Sequence, residues 1–126
     1  MNHFLLVAMG GAVGASLRHL ANLLALRWTG PGFPWGTMFV NIAGSLAMGL
    51  FVGWLARRAG GSSNELRLLV ATGFLGGFTT FSAFSLDVAT LWERGAVVPA
   101  FAYVLASVVL AISALFAGLW LTRMLP

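Results

Sequence analysis

The chain has 126 residues, 60% apolar and only 8% charged; a soluble domain carries roughly a quarter of its residues as charges, so water is excluded as the main solvent. The net charge of +4 rests on seven arginines and no lysine. They lie mostly at the ends of apolar runs and form no basic stripe, which argues against nucleic acid as a partner and for anchoring in a lipid bilayer. The lack of cysteine excludes disulfides, thiolate metal sites and cysteine nucleophiles.

A helix that crosses a bilayer needs about 20 mostly apolar residues, and four stretches qualify: residues 4–26, 35–55, 66–91 and 97–121. The connections 27–34, 57–65 and 92–96 are short and hold most of the charge. Trp28, Trp35, Trp54, Trp92 and Trp120 lie near span ends, where amphipathic rings sit at the headgroup level. The expected fold is an all-α membrane protein, with residues 1–126 forming a single four-helix transmembrane domain. No cleaved signal peptide is expected, because no Arg or Lys precedes the first apolar run.

In the first span Gly10 and Gly14 form a small-xxx-small pair that lets two helix backbones approach closely. With no strand before them they are not a dinucleotide fingerprint. Arg18 and His19 follow about two-thirds of the way along; a charge at that depth either snorkels to the interface or faces a watery cavity. In the second span Thr37, Asn41 and Ser45 stack on one helix face. An amide in hydrocarbon is costly unless paired, so Asn41 makes either a helix–helix hydrogen bond or part of a polar path. Gly44, Gly49 and Gly53 suit close packing.

The third span is anomalous. Gly73, Gly76 and Gly77 crowd its first half, each weakening a helix by about 1 kcal/mol relative to Ala. The expectation is a broken third helix, whose freed amides and carbonyls need a cavity, a partner or an ion. Thr79, Thr80, Phe81, Ser82, Phe84 and Ser85 follow, with Asp87 three residues beyond Phe84. In the fourth span Tyr103 and Ser107 share a face; a Ser bonded to its own backbone would be the ordinary alternative.

The only acids are Glu65, Asp87 and Glu93, and no acid pair, nucleophile with a base, or phosphate loop emerges, so an enzyme is not expected. Passage of an ion fits better. Asn41 amide hydrogens and Ser/Thr hydroxyls are donors that can replace water around an anion. The positive edges of Phe81 and Phe84 act in the same sense, and Arg18 adds a positive field at one mouth. Carbonyls freed at a helix break suit a cation such as Na⁺ instead.

The segments GGAVGASLRH at 10–19, GTMFVNIAGS at 36–45 and GFLGGFTTFSAFS at 73–85, with Tyr103 and Ser107, resemble the Fluc (CrcB) family of fluoride channels along the whole chain. The resemblance implies a dual-topology, antiparallel homodimer in the bacterial plasma (inner) membrane, with two fluoride pores and one central structural Na⁺. Such a channel lets fluoride leave the cell passively and so reduces its toxicity. On the same ground the fluoride path is expected to comprise Asn41, Phe81, Phe84, Tyr103 and Ser107, with Thr80, Ser82 and Ser85 and with Arg18 at the vestibule. Main-chain carbonyls of Gly76 and Thr79 are expected to hold the Na⁺. Fluoride is small and strongly hydrated, so closely spaced neutral donors suit it, and weak multiple sites let it leave again.

Two departures from the family pattern stand out. Ala83 occupies a position where Thr is common, and Ala111, one turn beyond Ser107, offers no hydroxyl; either thins the hydroxyl track. Asp87 is expected to cap a helix or pair with Arg. A small multidrug transporter would need an acid inside the first span, and this span has none. In an assembly subunit without a pore, the glycines would serve packing alone. Arg57, Arg58, Arg67 and Arg123 fall on the side of the termini, against Arg27 and Arg94 on the other, or three there if Arg18 is counted. So slight a bias predicts insertion in both orientations: tags on either terminus are expected to be accessible from both faces of the membrane.

Overall fold

The structure, a computed structural model, describes residues 2–58 and 63–126. Helix α1 spans His3–Thr29 and α2 spans Trp35–Ala56. The third crossing is composite: α3 (Ser63–Arg67) runs into a π-helical stretch (Leu68–Leu75), then one turn, α4 (Gly76–Phe78), and, after a break, α5 (Phe81–Glu93). Helix α6 spans Val97–Met124. Four helical segments are long and apolar enough to cross a membrane: His3–Thr29, Trp35–Ala56, Asn64–Glu93 and Val97–Met124. These extend the expected spans by at most three residues at either end. Of the expected connection 57–65, residues 59–62 lie outside the described residues.

Local chemistry sets the ends. The Asn2 side chain accepts from the Phe4 amide (2.9 Å) and opens α1. Gly95, at φ 81°, closes α5: its amide donates to Trp92 O (3.0 Å) and the Ala96 amide to Leu91 O (2.9 Å). This is the paired closure that requires a left-handed residue after the last turn.

The helices pack as two pairs, each joined where glycines let backbones touch. Helix α1 lies against the first half of the third span. A Cβ on Gly10 or Gly14 would run into the backbone of residues 69–78, and one on Gly77 would lie 2.7 Å from Gly11 O. Helix α2 crosses α6 at Gly49 and Gly118; a Cβ on Gly118 would lie 2.6 Å from both Leu46 O and Leu50 N. A smaller core joins α5 to α6 and the start of α2 through Phe84, Leu91, Ala100, Tyr103 and Met38, all buried. Most other large apolar side chains, among them Phe4, Phe101, Leu105 and Phe116, point outward, as a lipid-facing surface requires.

One expectation is corrected by these contacts. Gly73, Gly76 and Gly77 do not themselves break the third helix. Gly73 lies within the π-helical stretch and Gly76 and Gly77 within α4. Gly73 and Gly77 are used for close approach to α1, which the missing Cβ permits. The break falls after them, at Thr79 (φ −85°, ψ 158°) and Thr80 (φ −155°, ψ 125°), both extended.

Gly14→Leu places a side chain against the Phe74 carbonyl, a backbone group that cannot swing aside. It is expected to destabilise the fold by about 1–3 kcal/mol, measured by unfolding in detergent. Gly32→Ala, with nothing within 4 Å of the new methyl, is expected to leave the midpoint unchanged.

Candidate functional site at the break in the third span

None of the backbone bonds that would carry the helix from residues 76–79 to residues 80–83 forms; side chains partner Gly77 O, the Thr80 amide and the Ala83 amide instead. Asn41 of α2 grips Thr80 at two points: the Thr80 amide donates to Asn41 Oδ1 (2.8 Å), and Asn41 Nδ2 donates to Thr80 O (3.0 Å). Thr80 Oγ1 accepts from the Ala83 amide (3.2 Å), capping α5. Arg18 Nε of α1 donates to Gly77 O (3.1 Å). Leu75 O closes the turn before the break by accepting from the Thr79 amide (3.0 Å) and Thr79 Oγ1 (2.9 Å). Gly44 of α2 leaves the room: a Cβ there would lie 3.2 Å from the Phe78 ring.

Three carbonyls are left over, those of Gly76, Phe78 and Thr79. The amide that would reach Gly76 O is spent on Asn41, and the one that would reach Thr79 O on Thr80 Oγ1; among the described residues none of the three receives a hydrogen bond. Hard, neutral oxygen donors of this kind suit a small hard cation. Among the described residues no group of three or more His, Cys, Asp or Glu could hold a metal instead.

Beside the break an open cavity of about 410 Å³ is lined by Asn41, Ser45, Thr79, Thr80, Phe81, Phe84 and Ser107. Val108, Ala111 and Ile112 complete its wall. Ser107 is buried, and its hydroxyl has no hydrogen-bond partner among the described residues. The ordinary alternative for a membrane serine, a bond back to its own helix, is therefore not taken. The Phe81 and Phe84 rings stand 5.6 Å apart at 42°. Phe84 is 8% exposed and Phe81 78%, so one ring belongs to the core while the other projects from the chain.

Phe84 also packs on Tyr103 (5.1 Å between centroids). Tyr103 is fully buried, and its hydroxyl donates to Asp87 Oδ2 (2.9 Å). Asp87 thus has a tyrosine partner where an Arg pairing or a helix cap was expected. It lines a second cavity of about 360 Å³ under the connection between α1 and α2, together with Thr37, Thr90 and Arg94. Phe84 and Tyr103 therefore stand between the two cavities. The polar face of α2 runs along both: Asn41 and Ser45 line the first and Thr37 the second.

The structure thus brings Asn41, Thr79, Thr80, Phe81, Phe84 and Ser107 together. Ser82 and Ser85 lie on the exposed side of α5, where Ser85 Oγ donates to Phe81 O (3.0 Å). Arg18 reaches the back of the break. Sequence reasoning assigned no site role to Ser45, although it closes the Thr37–Asn41 stripe. It also missed the bond from Arg18 to Gly77 O, for which a lone charge deep in an apolar span was the available signal.

The CrcB-like protein, Camphor Resistance (CrcB) family model matches residues 5–119. Relatives named Fluoride-specific ion channel FluC align end to end. The one from Mesorhizobium japonicum is 68% identical over 126 residues, covering 100% of both chains. Those from Chelativorans sp. and Hyphomonas neptunium are 64% and 63% identical, each over 98% of this chain and 98% and 97% of the relative.

Tyr103→Phe keeps the ring that packs on Phe84 and strips Asp87 of its hydroxyl donor. It is expected to cost about 1–3 kcal/mol of stability, read as a lowered unfolding midpoint in detergent.

Proposed function

The chain belongs to the CrcB family, a multi-pass bacterial membrane protein, and from that membership and the site above we propose that it is a fluoride-selective channel through which fluoride leaves the cell passively. It is not an enzyme. The observation that carries the proposal is the Ser107 hydroxyl, buried and unpartnered among the described residues, on the wall of a cavity shared with Asn41 and Phe84. A buried hydroxyl without a partner costs stability; a transient anion supplies the acceptor it lacks. The second Nδ2 hydrogen of Asn41 and the edges of Phe81 and Phe84 add positive character, as does the N-terminus of α5, whose first amides lie at the break. None of these carries a full charge, so a bound anion is free to move on.

A second copy of the chain completes this reading. The cavity opens on one side, and the exposed Phe81 projects there beside polar groups that lipid cannot satisfy. In an antiparallel homodimer each chain contributes one such path, which makes two pores. The Gly76 and Thr79 carbonyls of both copies would hold one Na⁺ on the two-fold axis. When bound, the ion supplies positive charge to carbonyls that have no other partner.

Purified protein in liposomes is expected to release fluoride, followed with a fluoride electrode; no release above empty liposomes from dimeric protein would sink the proposal. Ser107→Ala separates function from folding. It removes an unsatisfied group, so stability should hold or rise, while flux falls by about fivefold, the equivalent of one hydrogen bond of about 1 kcal/mol.

A further inference from the structure

Arg18 lies deep in α1, the 16th of its 27 residues, and its charge is set against a carbonyl of the third span. That carbonyl, Gly77 O, is the acceptor the Phe81 amide would use if the helix ran on without a break, since an α-helix joins each amide to the carbonyl four residues back. The structure has Arg18 Nε there at 3.1 Å. Asn41 acts on the complementary group: it takes the Thr80 amide that would otherwise reach Gly76 O. One side chain thus removes an acceptor from the missing turn and the other removes a donor.

Energy favours this arrangement only while both are in place. A membrane interior penalises every unsatisfied backbone group. Without Arg18, Gly77 O would be orphaned at the end of α4, and the cheapest way to satisfy it is to draw back the Phe81 amide and extend the helix through Thr79 and Thr80. That extension would turn Thr79 and Thr80 out of their extended conformations and swing Phe81 away from the cavity it lines. A charged donor is the effective wedge here, because its hydrogen bond is stronger than the amide bond it displaces.

We propose that Arg18 is a positioning residue that holds the third helix open from behind. By occupying Gly77 O it takes that carbonyl out of the free set, which leaves Gly76 O, Phe78 O and Thr79 O. Its charge is spent on the scaffold and need not meet the anion. The consequence for ion flux rests on the channel reading above; the conformational consequence does not.

The test is solid-state NMR of the full-length protein in bilayers, reading the Cα and Cβ shifts of Thr79 and Thr80, alongside fluoride efflux. In Arg18→Gln both threonines are expected to move from extended toward helical shifts, and flux to fall about tenfold or more, as for the loss of one charge-assisted hydrogen bond. Arg18→Lys, which keeps a charged donor, is expected to restore the extended shifts at least in part. Extended shifts retained in Arg18→Gln would overturn the proposal, whatever happens to flux. Should Arg18→Gln fail to fold, the unsubstituted protein decides: dipolar coupling between arginine side-chain ¹⁵N and the Gly77 carbonyl ¹³C is expected, and its absence overturns the proposal. Unsubstituted protein that gives the expected shifts and coupling but releases no fluoride would refute the channel reading and leave the role of Arg18 standing.

Discussion

The rest of the molecule depends on one requirement: a backbone that stops being helical inside a bilayer must find its hydrogen bonds elsewhere. At Thr79 and Thr80 the third span meets it with side chains from two other helices and from itself. Asn41 reaches in from α2, Arg18 from α1, and the Thr80 hydroxyl folds back on the Ala83 amide. The break is therefore a built feature, held by distinct bonds, and two of the three carbonyls it leaves free, Gly76 O and Thr79 O, follow from which partners were taken.

These bonds form only if three helices meet closely, and the glycines serve that end. Gly10 and Gly14 bring α1 against the backbone of residues 69–78, close enough for Arg18 to reach Gly77. Gly44 clears space for Phe78 and Thr79, so that Asn41, one residue short of a turn earlier on α2, can reach Thr80. Gly49 and Gly118 hold α6 against α2, which keeps Ser107 on the cavity wall. Packing and chemistry are consecutive steps here: each small residue sets the distance over which a polar one then acts.

The four spans were legible because length and hydropathy in a bilayer leave few alternatives, and the Trp positions marked their ends. Asn41, Phe81, Phe84 and Ser107 were legible as a polar and aromatic set, but their shared cavity was not, since it depends on how α2, α5 and α6 are arranged. The break was expected over residues 73–79 and falls at the end of that stretch, at Thr79 and Thr80, so its cause was misread more than its neighbourhood. Glycine propensity pointed to residues 73–77, yet packing against α1 overrides propensity there, and the chain opens only where Asn41 can compete for an amide. The partnership of Tyr103 with Asp87 was hidden for a related reason: the two residues lie on different helices, and spacing along either one does not reveal the other.

The position of the break has an electrical meaning. Thr79 and Thr80 are the 16th and 17th of the 30 residues of the third crossing, so they lie near the midplane. A full crossing of the transmembrane voltage is worth about 2.3 kcal/mol per unit charge at 100 mV, and an ion resting halfway feels about half of that. Occupancy beside the break would then respond to membrane potential by severalfold over the physiological range. In the antiparallel pair proposed above, the depth measured from either face is the same, and the current–voltage relation would be symmetric about zero.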